Sequence, residues 1–145
     1  MTDDTRAAVG IVVVSHSAEV ADATVKLVAR LANLAADGPR LVAAGGMEDG
    51  SIGTDATRIG DALAAADAGA GVVVLADLGS AVLAALTAVE ELIEPSLAER
   101  VRISRGPLVE GTFVAAVQAS AGDGLEGVVA AADDAASMDK LDGRR

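Results

Sequence analysis

Apolar and polar positions follow two rhythms along this chain. Val9–Val14 and Gly71–Ala76 (GVVVLA) are unbroken apolar runs rich in β-branched residues. Such runs predict strands buried on both faces, as in a parallel sheet. Arg40–Gly45 (RLVAAG) is shorter, and Arg100–Ser104 (RVRIS) alternates charge with apolar residues, so both read as strands near an edge. Between these runs the spacing becomes helical. A helix over 17–36 aligns Val20, Thr24, Leu27, Val28, Leu31, Leu34 and Ala35, and Gly38-Pro39 stops it. A second, over 54–68, aligns Ile59, Ala62, Leu63 and Ala66. A third, over 80–94, aligns Val82, Leu83, Leu86, Val89 and Ile93 and ends at Pro95. A fourth, over 107–119, aligns Leu108, Phe113, Ala116 and Val117, and a short fifth spans 125–136.

The order is β-α repeated four times and closed by one more helix. It predicts an open, doubly wound α/β domain with a mainly parallel sheet and helices on both faces. The two most buried runs belong in the centre and the two more polar ones at the edges. The strand order is then 2-1-3-4, with right-handed connections. All the apolar stripes are assigned to the sheet, so patterning singles out no dimer interface. The 145 residues fit a single domain with its core over about 8–136, and Met1–Arg6 and the 139–145 tail are expected to fray.

Composition narrows the function. The net charge of −11 opposes binding to nucleic acid or to anionic membrane surfaces. One Phe and no Trp or Tyr leave no stacking surface for bases. With no Cys, disulfides and thiolate chemistry are excluded, and a single His makes a zinc site improbable. The start, MTDDTRAA, has no signal pattern, and no apolar run approaches the roughly 20 residues of a membrane span, so a cytoplasmic protein is expected. There is no Walker A, no G-x-G-x-x-G after the first strand and no G-x-S-x-G elbow.

The single histidine, His16, follows the first strand in VVVSHS. Ligands of doubly wound sheets bind beyond the carboxyl ends of the strands, where the strand order reverses. That crevice lies between strands 1 and 3, so topology sets His16 opposite Asp77 of ADLGS. A carboxylate bonded to one ring N–H fixes the tautomer and frees the other nitrogen as a nucleophile. Helix N-termini at the same place suit an added anion. Ser17, Thr54 and Ser80 stand at expected helix starts, either as N-caps or as donors to such a group. Arg58 and Arg105 are either anion clamps or solvated surface charges. The residues thus favour a histidine carrying a phosphoryl or acyl group. Loop, turn and cap roles account for each residue taken singly.

Four blocks, GIVVVSHS, GGMEDGSIGTD, ADLGSAVL and GPLVEGTFVAAVQAS, occur in order over about residues 8–135. In these the chain resembles the DhaM family, the phosphotransfer subunits of bacterial phosphoenolpyruvate-dependent dihydroxyacetone kinases. That family is similar in fold to the EIIA domains of the mannose-type phosphotransferase system. The resemblance implies that His16 is the phosphorylated histidine, loaded by the phosphocarrier protein HPr. The group then passes to ADP held on the kinase's nucleotide-binding subunit, so this chain needs no cofactor or metal of its own. Asp77 matches the carboxylate that pairs with the histidine. Gly79 and Ser80 match the phosphate-facing turn, and Thr54 a polar residue nearby. The resemblance further implies a homodimer, and a donor that is a separate protein, since HPr-like or enzyme-I-like extensions are not expected here. Rival readings are a mannose-type EIIA domain serving a sugar permease, a module that senses an anion without covalent chemistry, and a receiver-type aspartyl site at Asp77.

Overall fold

The computed structural model describes residues 7–143, so the expected fraying of Met1–Arg6 and of the last two residues lies outside the described part. In chain order the elements are β1 (Gly10–Ser15), α1 (Ala18–Leu31), β2 (Leu41–Gly45), α2 (Ala56–Ala66), β3 (Val72–Ala76) and α3 (Gly79–Thr87). A π-helical turn, Ala88–Leu92, follows, then α4 (Pro95–Ala98), β4 (Val101–Ile103), α5 (Leu108–Ser120) and α6 (Leu125–Asp134), which ends in a 3₁₀ turn. The strands form one sheet in the order β2-β1-β3-β4, and every pairing is parallel. The α/β class and the strand order are those the pattern predicts.

Strand parity sends side chains to two cores. Val12, Val14, Val72 and Val74 meet Ile59 and Leu63 of α2, Ala81 and Ala85 of α3, and Ala88 at the start of the π-helical turn. Val9, Ile11, Val73 and Leu75 meet Val28 of α1, Ala115, Ala116 and Ala119 of α5, and Val128 and Ala132 of α6. Each fully buried Val or Ile contributes about 1.5–3 kcal/mol of hydrophobic stabilisation. β1 and β3 are buried throughout, apart from the last residue of β3, and they anchor the ends that carry the site.

Several helix faces differ from the expected stripes. The core face of α3 is its alanine row, whereas Leu83 is 66% exposed and Leu86 is also turned outward. On α1 the buried positions are Ala21, Thr24 and Val28, and Val20, Leu27 and Leu31 are exposed. On α5 the row Gly111, Thr112, Ala115, Ala116 and Ala119 is buried and Val117 is exposed. In helices rich in both alanine and leucine two faces satisfy the same period, and close approach to the sheet selects the smaller side chains. Apolar stripes are therefore not all consumed by the sheet.

The helix ends also shift. α1 stops at Leu31 because Asn33 adopts a left-handed conformation, φ 51°. Asn33 N–H then donates to Arg30 O and Leu34 N–H to Ala29 O, a Schellman end that acts before Gly38-Pro39 is reached. The expected third helix changes pitch at Ala88. Beyond it Pro95 opens the short α4, which the pattern did not separate. In the C-terminal tail, Lys140 Nζ lies 2.7 Å from Glu110 Oε2 on α5.

Candidate functional site

β1 and β3 are adjacent, and Val14 pairs with Ala76. Asp77 N–H extends this ladder by donating to Val14 O at 3.1 Å. Ser15 and His16 on one strand end therefore face Asp77 on the other. The Asp77 carboxylate accepts four hydrogen bonds. Ser15 Oγ (2.9 Å) and His16 N–H (3.0 Å) donate to Oδ2. Leu78 N–H donates to Oδ1 (2.8 Å), and His16 Nδ1 lies 3.0 Å from the same oxygen. Burial of Asp77 raises its pKa, but the bonds from the His16 backbone, the His16 ring and the Ser15 hydroxyl outweigh burial and hold the carboxyl below its ordinary value.

An ionised carboxylate only accepts, so the ring proton of His16 belongs on Nδ1. Nε2 then presents its lone pair on the open side, where the Ser80 hydroxyl donates to it at 2.7 Å. The His16 side chain is 23% exposed and that of Asp77 20%, so the pair is shielded while Nε2 remains reachable. Ser80 sits in the first turn of α3, whose cap residue, Leu78, makes no side-chain cap bond. The first-turn N–H groups of Gly79 and Ser80 thus carry no side-chain cap. Gly79 has empty space where a Cβ would stand, so packing within the chain does not require glycine there.

The helix-start assignments divide. Ser17 is the N-cap of α1, its Oγ accepting from Val20 N–H at 3.2 Å. Thr54 is not the cap of α2. Asp55 is, accepting from Thr57 N–H at 2.9 Å, because its carboxylate reaches the N2 amide from the extended cap residue. Thr54 makes no side-chain hydrogen bond among the described residues. Ser80 is not a cap either, since α3 starts one residue earlier.

Ser15 was not singled out from the sequence. It is 1% exposed, donates to Asp77, and accepts from Ser17 N–H at 3.0 Å. A hydroxyl ending a strand buried on both faces must find polar partners, and that was the available signal. The loop after β2 is tied to the site by two amides. Gly46 N–H donates to Ser15 O, and Gly53 N–H donates to His16 O at 2.9 Å. Gly46 and Gly50 hold positive φ, so these glycines are required by the turn itself. Gly45 serves a different need. A Cβ there would stand 2.5 Å from Ser17 O and 2.8 Å from Ala18 Cα, so only glycine lets β2 end against the first turn of α1.

The two arginines noted from the sequence are separated. Arg58 Nη2 lies 3.5 Å from Gly45 O, and Arg105 lines a cleft beyond β3 and β4. The described residues contain no cluster of three or more His, Cys, Asp or Glu arranged to hold a metal ion. Nor do they contain a helix long and apolar enough to cross a membrane.

Residues 10–129 match the EIIA-man family model, described as the PTS system fructose IIA component. The chain is 39% identical over 105 residues to the phosphoryl donor subunit DhaM of the PEP-dependent dihydroxyacetone kinase of Providencia stuartii. That match takes in 71% of this chain and 21% of the relative. A DhaM subunit of Listeria innocua is 34% identical over 105 residues, covering 72% of this chain and 81% of the relative. The chain thus spans about a fifth of the longer relatives and most of the shorter one. A crystallised protein of unknown function superposes with a TM-score of 0.74 at 32% identity, over 88% of this chain and 94% of its own. A sigma-54 interaction domain protein of Enterococcus faecalis shares the fold alone, with a TM-score of 0.64 at 19% identity over 87% and 88% of the two chains. A match over most of the chain, together with the sheet order found here, shows that this protein belongs to the EIIA-man family.

Proposed function

We propose that this chain is the phosphohistidine relay subunit of a phosphotransferase-system-dependent dihydroxyacetone kinase, and that it works in the cytoplasm. His16 accepts a phosphoryl group from phospho-HPr and passes it to ADP on the nucleotide-binding subunit of the kinase. The observation that carries this reading is the hydrogen-bonded line from Asp77 Oδ1 to Nδ1–H, across the ring, and from Nε2 to the Ser80 hydroxyl. The names of the DhaM relatives support the role.

In the loading step the Nε2 lone pair attacks phosphorus. A P–N bond forms as the bond to the donor breaks, and the donor keeps that electron pair. The ring proton stays on Nδ1, so positive charge develops on the imidazole, and the Asp77 carboxylate stabilises it. Ser80 turns its hydroxyl from Nε2 to a phosphoryl oxygen, and the open N–H groups at Gly79 and Ser80 serve the other oxygens. Ser17, capping α1, and Thr54, in the loop tied to His16, border the same group. Discharge reverses the step toward the terminal phosphate of ADP. Exposed Leu27 and Leu31 on α1 leave room for a second copy, in keeping with a homodimer.

Incubation with enzyme I, HPr and phosphoenolpyruvate tests this reading. The expected product carries one phosphoryl group per chain, acid-labile and alkali-stable, and His16→Ala abolishes it. Labelling that survives that change refutes the mechanism. Addition of the ADP-loaded kinase subunit should discharge the label. Failure to discharge would point to the sugar-permease role of an EIIA domain.

A further inference from the structure

The ends of β1 and β4 are built alike. After β1, the Ser15 hydroxyl and His16 N–H donate to one carboxylate oxygen of Asp77, and Ser17 N–H donates back to Ser15 Oγ. After β4, the Ser104 hydroxyl (2.6 Å) and Arg105 N–H (2.9 Å) donate to one oxygen of Asp133, and Gly106 N–H (3.0 Å) donates back to Ser104 Oγ. Both serines are buried, at 1% and 5% exposure. The two cradles make the same three bonds in the same order. His16 and Arg105 therefore hold equivalent places and leave the same edge of the sheet, with only β3 between their strands.

The second cradle differs in its aspartate and in what that aspartate leaves free. Asp133 belongs to α6, whereas Asp77 follows β3 and also accepts from Leu78 N–H. Asp77 engages the His16 ring as well as its backbone, whereas Asp133 engages Arg105 through the backbone amide alone. The Arg105 guanidinium makes no ion pair or side-chain hydrogen bond among the described residues. Arg100 is paired with Asp67, Arg102 with Glu126 and Lys140 with Glu110. Lys26, Arg30, Arg40 and Arg58 share with Arg105 the lack of a carboxylate partner among the described residues, but of these cations Arg105 alone lines the cleft beyond β3 and β4. Arg105 lines a cleft of about 440 Å³ whose opposite wall is Asp77, Leu78, Gly79 and Val82. In a chain of net charge −11, this puts an uncommitted cation on the wall facing the turn that follows Asp77.

We propose that Arg105 is an anion-positioning residue, which holds a phosphate-bearing ligand in the cleft between the ends of β3 and β4, against the turn that follows Asp77. Its planar fork suits a phosphate dianion. The chemistry fits the phosphoryl group carried on His16 or the terminal phosphate of the acceptor. An anion brought to so acidic a chain gains most from a cation that no carboxylate has neutralised. The inference rests on the proposed relay role for its use in transfer, but not for anion binding itself.

Backbone amide NMR of the unphosphorylated full chain, titrated with inorganic phosphate at constant ionic strength, tests the binding. Saturable shifts are expected at Gly79 and Gly106. Arg105→Gln should weaken the binding about tenfold, the loss of one charge-assisted contact, with Arg105→Lys intermediate. Thermal melts should be unchanged, since the guanidinium makes no hydrogen bond within the described chain. A titration that Arg105→Gln leaves unaltered, or shifts confined to other parts of the chain, would overturn the proposal. A second arm identifies the source of the phosphate. Slower discharge to the ADP-loaded subunit with normal loading indicates the acceptor, and a shortened lifetime of phosphorylated His16 indicates the carried group. If wild type is never labelled while phosphate still titrates the cleft, the relay reading fails and the anion site stands.

Discussion

Replacing Asp77 with Asn removes one charge and keeps the shape. In the wild type four donors converge on the carboxylate, and an amide can accept from only two of them, through its single oxygen. The other two then face an NH₂ group. Losing these charge-assisted bonds at a site 20% exposed should lower stability by about 1–3 kcal/mol, which leaves a folded protein. The effect on transfer has a different origin. In the proposed relay, phosphorylation at Nε2 would place positive charge on the ring, whose Nδ1 lies 3.0 Å from Asp77 Oδ1. At a charge separation of about 4 Å and an effective dielectric of about 20, the attraction is about 4 kcal/mol. Solvent screening at this partly exposed pair leaves about half of that, or about 2 kcal/mol, a slowing of roughly thirtyfold. Rapid-quench measurement of label transfer from phospho-HPr gives the rate, and urea denaturation of the same preparation gives stability. A folded Asp77→Asn protein that loads at a rate within threefold of wild type would show that the carboxylate does not stabilise the charged ring.

The depressed pKa of Asp77 also sets a pH window. Its contribution to stability is complete above the ordinary carboxyl value of 3.8 and is lost as pH falls through the lower folded value. The urea-midpoint gap between wild type and Asp77→Asn should therefore be constant from pH 7 down to about 5 and close below about 4; a gap that widens on acidification contradicts the assignment. Gly45→Ala would drive a methyl into Ser17 O and Ala18 Cα, both backbone atoms that cannot rotate away. It should cost about 1–3 kcal/mol by thermal melting and also slow the loading of His16, since α1 starts at that contact. An unchanged melt would mean that the end of β2 is free to move.

How much of this was legible in the sequence depends on the range of the physics involved. Buried strands announce themselves by composition, because a strand covered on both faces has no polar side. Val9–Val14 and Gly71–Ala76 therefore marked the sheet centre without knowledge of their neighbours. Strand order and the rule for the reversal point then set His16 against Asp77, and the two are hydrogen-bonded. Choices between near-equal local options were not legible. Leu83 and Ala85 are both apolar and helical in spacing, and only the fit against β-strand valines turns the alanine inward. Thr54 and Asp55 are both good caps, and the path of the loop pinned by Gly53 N–H to His16 O goes with Asp55.

The sequence by itself thus determined the alternation of strands and helices, the sheet order and the meeting of one histidine with one aspartate, because burial and topology act through pattern. The tertiary structure alone decided that Ser15 braces the aspartate, that Nδ1 is the ring nitrogen facing Asp77, that the Ser80 hydroxyl meets Nε2, and that Arg105 occupies a second cradle like that of His16. Those outcomes depend on distances of a few tenths of an ångström between atoms many residues apart, and no local pattern carries that information.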